Sequence, residues 1–220
     1  MSWLFLGTTT ARICLFSCLN TTWISTSGLL ANWPFDGTYL DQTNTYNAVP
    51  VNSPTFVTNG YVNQAVQFNP STSTYLHTSY IPLINASFTI EVWLYPTGYP
   101  NAYDHSILGL CTTPINNQCL RLTVRNFAGV YRLFMAFSGD DCSSTLSVPL
   151  NQWTHAAFTF NLATHAMLVY QDGVLGGNCT AGQPLLATPT NVSIGYIPGI
   201  VSTYGANFFQ VGSYFLLGNC

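Results

Sequence analysis

The acidic side chains of this sequence are the first candidates for chemistry. Hydrolysis of a glycosidic bond needs two carboxyl groups that flank the bond, about 5 to 9.5 Å apart. The sequence contains seven Asp and Glu residues, and Glu91 is the only glutamate. Asp140 and Asp141 are adjacent, so in an extended segment they point to opposite sides. No Ser-His-Asp or Cys-His motif has a supporting context, and His155 and His165 fall within predicted strands. We therefore assign no catalytic residue.

Aromatic and ionisable side chains that alternate with apolar ones along the predicted strands are a second candidate. The apolar positions share the strand faces that we expect to meet in a core: Phe88, Ile90, Val92 and Leu94; Leu120, Leu122 and Val124; Leu133, Met135 and Phe137. The opposite faces carry Glu91, Trp93 and Tyr95; Arg121, Thr123 and Arg125; Arg132 and Phe134; Trp153 and His155.

If these strands are neighbours, the second set forms an aromatic, hydrogen-bonding concave surface. Sugar rings stack on such aromatic side chains, and guanidinium groups donate to hydroxyls or carboxylates. In the alternative interpretation, Glu91 pairs with an arginine on a half-covered sheet face, and Trp93 packs under a loop. The predicted ligand-binding residues are Glu91, Trp93, Tyr95, Arg121, Arg125 and Arg132.

The seven cysteines indicate an oxidising compartment and disulfide bonds. No Cys-x-x-Cys pair is present. Cys111 and Cys119 flank a turn-rich loop, so a bridge between them would close a hairpin. Cys142 and Cys179 both lie in polar loops and form the natural second pair. The alternative is a set of free thiols in a cytosolic protein. Three cysteines have no assigned partner: Cys14, Cys18 and Cys220.

The charge composition limits the classes of partner. Only 5% of the residues are charged, and the net charge is -3. Without a basic run, nucleic-acid binding and a polybasic membrane patch are excluded.

A neutral polar surface gains solubility from attached glycans, so Asn-x-Ser/Thr sequons become informative. The four sequons are Asn20, Asn85, Asn178 and Asn191, of which we predict glycosylation at Asn85 and Asn191. We expect an extracellular or secreted protein.

The chain divides into three parts. In residues 1–27, Arg12 precedes a short apolar run, and we interpret this segment as a leader or signal-like segment. No apolar run in it approaches the roughly 20 residues of a transmembrane helix. Residues 28–205 form one predicted domain, because no linker or internal repeat interrupts them. Residues 206–220 form an atypical C-terminal tail.

The pattern of residues from Leu29 onward is typical of an all-β sandwich or barrel. Short alternating or continuous apolar runs are interrupted by Gly, Pro, Asn or Asp about every ten residues. No helical stripe is present. Asp172 and Gly173 tolerate positive φ at the two centres of a tight turn, so they predict a two-residue hairpin.

Several segments resemble the signature strands of laminin-G-like domains of the concanavalin A-like lectin and glucanase superfamily. They are SFTIEVWLYP at residues 87–96, QWTHAAFT at 152–159 and LVYQDG at 168–173, while LANWPFDG at 30–37 with Asp41 fits the first strand. The resemblance implies an all-β, two-sheet antiparallel jelly-roll sandwich. This architecture hosts sugar binders, adhesion modules and glycosidases alike, so it specifies the fold better than the function.

The C-terminal segment departs from the laminin-G-like pattern. Such domains usually close with a strand of the form Phe-x-Gly-x-Ile-Asp beside the first strand. Here Asn207-Phe208-Phe209-Gln210 is followed by an apolar segment without an acidic residue. We expect a closing strand that is missing or altered, as a retained intron or a truncated gene product would cause. The first strand would then have an unpaired edge.

The resemblance also makes calcium a candidate ligand, because such modules often bind it through loop carboxylates and carbonyls. The usual aspartate of the closing strand is missing, so we assign no metal site. The loop residues that could contribute are Asp36, Asp41, Tyr103, Asp104, His105, Asp140 and Asp141.

These patterns together predict an extracellular, non-catalytic recognition module that binds carbohydrate or a glycosylated extracellular partner. One alternative is a protein-protein adhesion module that binds through its loop edges. A second alternative is a structural glycoprotein that assembles through its sheet edges or an odd cysteine.

Overall fold

The computed structural model describes residues 28–99 and 103–197, together with the backbone of strands 206–208 and 212–218. The described residues form two eight-stranded sheets and one short 3₁₀ helix, Pro70–Thr72. The first sheet contains β1 (Leu29–Trp33), β3 (Thr55–Val57), β4 (Ala65–Gln67), β6 (Phe88–Leu94), β11 (Thr154–Phe160), β12 (Ala166–Gln171), β13 (Val174–Thr180) and β16 (Gly212–Gly218). The second sheet contains β2 (Val49–Val51), β5 (Tyr75–Thr78), β7 (Asp104–Leu110), β8 (Leu120–Phe127), β9 (Val130–Ala136), β10 (Asp141–Ser147), β14 (Val192–Ile194) and β15 (Ala206–Phe208).

The strand order confirms the predicted two-sheet jelly-roll sandwich. In the first sheet the order is β13-β12-β11-β6-β16-β4-β3, with β1 also paired to β16. In the second sheet it is β10-β9-β8-β7-β14-β5-β2, with β15 also paired to β7. The pairings are antiparallel except between β15 and β7. The sandwich brings distant segments together, since β6 pairs with β11 and β16.

The core lies between the two sheets and is formed by the alternate residues that the sequence predicted. Burial alternates strictly along β6, as expected for a strand with one face on the core. Burial of each large apolar side chain contributes about 1.5–3 kcal/mol, so this layer dominates the stability. The confirmed core positions, each at most 1% exposed, are Phe88, Ile90, Val92, Leu94, Leu120, Leu122, Val124, Leu133, Met135 and Phe137.

The predicted hairpin at Asp172-Gly173 is confirmed. Gln171 pairs with Val174, so the two residues between them form the turn. Asp172 has φ 50° and Gly173 has φ 78°, the left-handed conformation that such a turn requires at both centres. The Asp172 carboxylate also accepts a hydrogen bond from the backbone N–H of His155 at 2.8 Å. The turn therefore fixes the end of β11 as well as its own two strands.

The first strand has a partner, so its predicted unpaired edge is wrong. β16 lies between β1 and β6, and its register places Leu216 opposite Asn32 on one side and Glu91 on the other. The closing strand is therefore present in an altered sequence. Backbone hydrogen bonds need no particular side chain, which is why an apolar segment without the Phe-x-Gly-x-Ile-Asp pattern can fill this position. Strands of both sheets occur after residue 205.

Both predicted disulfides are present. Cys111 and Cys119 are bonded with a Cα–Cα distance of 4.4 Å, and they close the connection between β7 and β8. Cys142 and Cys179 are bonded with a Cα–Cα distance of 5.6 Å. This second bond joins β10 of the second sheet to β13 of the first, so it links the two layers covalently.

Several predictions concern residues outside the described part of the chain. They are the leader at residues 1–27, the sequon at Asn20, and the unassigned Cys14, Cys18 and Cys220. Among the described residues, no helix has the length and apolar character needed to span a bilayer.

Candidate functional site

The predicted ligand-binding residues lie on two different sheets. Glu91 and Trp93 belong to β6 in the first sheet, whereas Arg121 and Arg125 belong to β8 and Arg132 to β9 in the second sheet. Each set alternates with core residues, so each lies on the outer face of its own sheet. The expectation of one shared concave surface is therefore wrong. Alternation along a strand predicts which side a residue occupies within its sheet, but not which sheet that strand joins.

Asp104 is the centre of the arginine cluster on the second sheet. Its carboxylate accepts two hydrogen bonds from Arg125, from Nε to Oδ1 and from Nη2 to Oδ2, each at 2.6 Å. Thr123 donates to the same carboxylate at 3.3 Å. The guanidinium carbon of Arg125 lies 3.5 Å from the ring centroid of Phe134. Arg125 is thus held by a bidentate ion pair and an aromatic face, a geometry suited to its planar fork.

The other two arginines also contact neighbours on the second sheet. Arg121 lies 3.6 Å from Asp104 and 3.7 Å from Asp141. Arg132 places its guanidinium carbon 5.5 Å from the ring centroid of Phe127.

Burial decides the role of this arginine cluster. Arg121 is 1% exposed, Arg125 is 5% exposed and Asp104 is fully buried. The cluster therefore acts within the fold as a buried charge network, and Arg121 and Arg125 do not present an open surface to a ligand. The β7–β8 register creates it, because it places Asp104 opposite Arg125 and Ser106 opposite Thr123.

The aromatic side chains gather on the first sheet, on its outer face and at the adjoining loops. We call this group the aromatic patch: Tyr61, Trp93, Tyr95 and Trp153, with Glu91 and His155 beside them. Tyr61 stacks on Trp93, with ring centroids 3.4 Å apart and ring planes 12° apart. The Trp153 ring lies edge-on to Tyr61 at 6.2 Å and tilted against Tyr95 at 5.2 Å. Tyr61 is 41% exposed, while the other three aromatic rings are half-buried.

The strand register positions most of the aromatic patch. Trp93 on β6 pairs directly with His155 on β11, and their rings are 5.0 Å apart. Glu91 pairs with Ala157 in the same register. Tyr95 and Trp153 follow β6 and precede β11 respectively, so they extend the same surface at one end of these strands.

Tyr61 comes from the connection between β3 and β4 and was not predicted as a site residue. This turn brings the backbone close to itself, since a Cβ at Gly60 would lie 2.4 Å from the carbonyl oxygen of Gln64. Gly60 also donates its backbone N–H to the carbonyl of Asn63 at 3.1 Å. The Gly-Tyr pair at residues 60 and 61 was the only sequence signal, and it gives no information about which sheet face the ring covers.

The charged residue of the patch pairs with a histidine rather than an arginine, so the alternative interpretation of Glu91 is also corrected. Glu91 Oε2 lies 3.4 Å from His155 Nε2, with the side chains 24% and 14% exposed. Glu91 Oε2 is buried and has no hydrogen-bond donor among the described residues. The other part of that interpretation fits, since Trp93 lies under Tyr61 of the β3–β4 loop.

Asp41, one of the loop carboxylates proposed for calcium, organises its own loop instead. Its Oδ1 accepts hydrogen bonds from the backbone N–H groups of Asn32 at 2.8 Å and Thr43 at 3.1 Å. Its Oδ2 accepts from the backbone N–H of Tyr46 at 2.9 Å and from the Thr43 hydroxyl. Burial alone would raise the pKa of Asp41, but these hydrogen bonds outweigh it and lower the pKa below its ordinary value.

The remaining candidate calcium ligands do not converge. Asp36 accepts from the Asn63 amide at 3.0 Å, and Asp140 accepts from the backbone N–H of Gly182 at 2.8 Å. Asp104 and Asp141 face arginine. Within the described parts of the chain, no three Asp, Glu, His or Cys side chains gather as a metal site would require. These residues do not fit a calcium ion, which takes six to eight oxygen ligands.

The two predicted glycosylation sites are both exposed. Asn85 has φ 51°, in the turn before β6. Asn191 lies just before β14, where its side-chain amide is 3.5 Å from His77 Nδ1. Asn191 and His77 also line a depression of about 460 Å³ on the second sheet.

Solved structures with the same fold bind carbohydrate or other ligands. One is domain 4 of AbnA, a GH43 extracellular arabinanase from Geobacillus stearothermophilus, which was solved in complex with arabinotriose. Its TM-score to this chain is 0.68 and its sequence identity is 16%, and the match covers 88% of this chain and 93% of that one. Another is the binding domain of botulinum neurotoxin DC, which was solved in complex with SialylT. Its TM-score is 0.58 and its sequence identity is 12%, and the match covers 87% of this chain and 48% of that one. This chain therefore spans about half the length of the neurotoxin domain. At these identities the likeness establishes the fold alone.

The sequence itself identifies the family. No curated protein matches the chain in sequence. The Laminin_G_3 profile, described as concanavalin A-like lectin/glucanases superfamily, matches residues 69–210, which is well over half of the chain. This range includes the whole arginine cluster and every residue of the aromatic patch except Tyr61. The chain is therefore a member of the Laminin_G_3 family of the concanavalin A-like lectin/glucanases superfamily.

Proposed function

We propose that this protein is an extracellular, non-catalytic recognition module that binds carbohydrate or a glycosylated partner through the aromatic patch. The observation that carries the proposal is the stack of Tyr61 on Trp93, flanked by Trp153 and next to Glu91. Aromatic faces bind the apolar faces of sugar rings, and a carboxylate beside them accepts hydrogen bonds from sugar hydroxyls. The arabinotriose complex of the similar AbnA domain supports this function, although it assigns no residue of this chain.

The proposal of a non-catalytic module is supported by the partners of the acidic residues. Glu91 faces His155, Asp104 is bound by Arg125, and Asp41 is surrounded by amide donors. A glycosidase needs two carboxyl groups that can exchange protons with a substrate across the scissile bond. Asp104 and Asp41 are held by partners within the fold, so neither is available as a second carboxyl group beside Glu91.

The extracellular location is supported by the two disulfides and by the exposure of the sequons. Disulfides persist in oxidising compartments, and the bond from Cys142 to Cys179 ties the two sheets together. Asn85 and Asn191 are exposed, so an oligosaccharyltransferase could reach both. We propose glycosylation at these two positions. Expression in a secretory host followed by enzymatic deglycosylation and mass spectrometry would test it, with Asn85→Gln and Asn191→Gln as site controls.

A glycan array with purified protein tests the proposed function, and Trp153→Ala and Tyr61→Ala test its location. We expect each variant to weaken glycan binding about tenfold, since an aromatic contact contributes about 0.5–1.5 kcal/mol beyond its buried area and 1.4 kcal/mol is a factor of ten. Tyr103→Ala is the matched control, because Tyr103 is a similarly exposed aromatic residue that immediately precedes β7 of the second sheet, where it contacts Arg125.

The array also separates the alternatives. Absence of binding to every glycan, with the protein folded, would contradict carbohydrate recognition and favour a protein-protein adhesion module. Covalent oligomers on non-reducing gels would favour a structural glycoprotein that assembles through an unassigned cysteine.

A further inference from the structure

We infer that the aromatic patch selects neutral oligosaccharides over acidic ones, and that Glu91 is the residue that determines this selectivity. The inference rests on the proposed function and names the ligand class of the same site. It concerns the difference between sugars that carry only hydroxyl groups and sugars that carry carboxylate or sulfate groups.

The first step is the distribution of positive charge. The sequence has no lysine, and its four basic residues other than histidine are arginines. Arg12 lies outside the described residues, and the other three lie on the second sheet. Arg121 and Arg125 are buried against Asp104, and Arg132 lies over Phe127. Proteins recognise carboxylate and sulfate groups chiefly with arginine or lysine, and the described part of the patch contains neither.

The second step is the charge that the aromatic patch does carry. Glu91 lies two residues before Trp93 on the same face of β6, so its carboxylate is adjacent to the aromatic stack. The Glu91 side chain is 24% exposed, and its ion-pair neighbour His155 is neutral unless protonated. Two like charges a few ångströms apart at a protein surface repel each other, because the effective dielectric there is lower than that of water. An acidic group held beside Glu91 would therefore weaken binding substantially.

The third step is the hydrogen-bonding capacity of Glu91. Its side chain is 24% exposed, although its Oε2 is buried, 3.4 Å from His155 Nε2. A carboxylate only accepts hydrogen bonds, so its natural ligand is a donor such as a sugar hydroxyl. The same residue thus favours hydroxyl groups and disfavours anions.

Paired glycans test the inference directly. Binding is measured at pH 7.5 for lactose against 3′-sialyllactose, and for arabinotriose against a galacturonic acid trisaccharide, on an array and then by calorimetry. We expect the neutral member of each bound pair to bind at least tenfold more tightly. In Glu91→Gln the difference should fall to less than threefold, because glutamine keeps the shape and an acceptor oxygen but removes the charge.

Asp141→Asn is the matched control, since it removes one negative charge from the second sheet, where Asp141 is exposed. It should leave the preference unchanged. Raising NaCl from 20 mM to 500 mM provides a second measurement on the unaltered protein, and we expect it to strengthen binding of the acidic member several-fold as the repulsion is screened.

The failures of the two proposals are distinguishable. Equal or tighter binding of the acidic members overturns the inference and leaves carbohydrate recognition intact. A preference that persists in Glu91→Gln and is insensitive to salt overturns the role of Glu91. Silence of all glycans with folded protein overturns carbohydrate recognition itself.

Discussion

Tyr61 lies nearly parallel to Trp93, with ring centroids 3.4 Å apart, and the two rings come from segments on opposite sides of β4 and β5 in the sequence. Trp93 is fixed by its pairing with His155 in the middle of the first sheet. Tyr61 depends on a turn that only a residue without a side chain can form at position 60. The shape of the aromatic patch is therefore set as much by a glycine as by its aromatic residues.

Gly60→Ala should displace Tyr61 from Trp93. The added Cβ would lie 2.4 Å from the backbone oxygen of Gln64, so the turn must move. We expect a destabilisation of about 1–3 kcal/mol and a red shift of tryptophan fluorescence as Trp93 gains contact with water. Gly182→Ala is the control, because its nearest atom is Asp140 Oδ1 at an ordinary 3.4 Å. Unchanged fluorescence in Gly60→Ala would mean that the stack does not depend on this turn.

Asp104→Asn should strongly destabilise the fold. The substitution leaves Arg125 and Arg121 buried without their common counter-charge, and breaking a buried ion pair in this way costs about 3–5 kcal/mol. Urea unfolding monitored by circular dichroism measures the change. Asp141→Asn should cost less than about 1 kcal/mol, because Asp141 is 47% exposed and its pair with Arg121 is long. Similar effects of the two substitutions would argue against a buried network.

Stability should fall with pH below about 6.5, owing to His105. This side chain is 2% exposed and packs against the stacked rings of Tyr99 and Tyr131. Burial lowers the pKa of His105 from 6.5 to about 4, against the opposing effect of Asp104. Between these values the unfolded state binds more protons than the folded state, so the free energy of unfolding decreases as the pH falls, by up to about 3 kcal/mol.

The measurement for His105 is the urea midpoint between pH 7.5 and pH 4. His105→Phe should flatten this dependence, because phenylalanine fills the aromatic site without a titrating group. His77→Gln is the control, since His77 is half-buried on β5, where it lies beside the Asn191 side-chain amide. If His105→Phe retains the full pH dependence, other groups account for the acid sensitivity.

Loss of the disulfide between the sheets should cost more than loss of the hairpin disulfide. The bond from Cys142 to Cys179 spans 37 residues, whereas the bond from Cys111 to Cys119 spans 8. In the loop-entropy description the longer loop contributes roughly 1.4 kcal/mol more, within a typical total of about 2–4 kcal/mol. Thermal unfolding of the two double alanine variants would compare them, and a larger effect at the hairpin would contradict the entropic account.

The fold could be predicted from the sequence because its signals are local. Alternation along β6 identified Phe88 and Val92 as core residues, and Asp172-Gly173 identified a hairpin, since burial on one face and positive φ each leave a mark within a few residues. The hairpin disulfide was predictable for a similar reason, because Cys111 and Cys119 flank one short loop. The second pair was predicted correctly although Cys142 and Cys179 lie in strands β10 and β13 and not in the loops that the sequence suggested.

The site could be predicted only in part because its geometry is non-local. Glu91 and Trp93 were found by alternation, but nothing near Arg121 or Arg125 indicates that β8 joins the other sheet. Tyr61 was missed because its turn is far in sequence from Trp93. The role of Asp104 could not be predicted for the same reason, since its pairing with Arg125 depends on the register between two strands and not on either strand alone.

The position of β16 bears on how the molecule is made in the cell. This strand lies between β1 and β6, yet it is synthesised more than a hundred residues after β6. Until that late segment has been synthesised, β1, β4 and β6 lack a neighbouring strand in the first sheet. Unpaired strand edges promote association with other chains, so the nascent first sheet is exposed to aggregation until β16 has emerged.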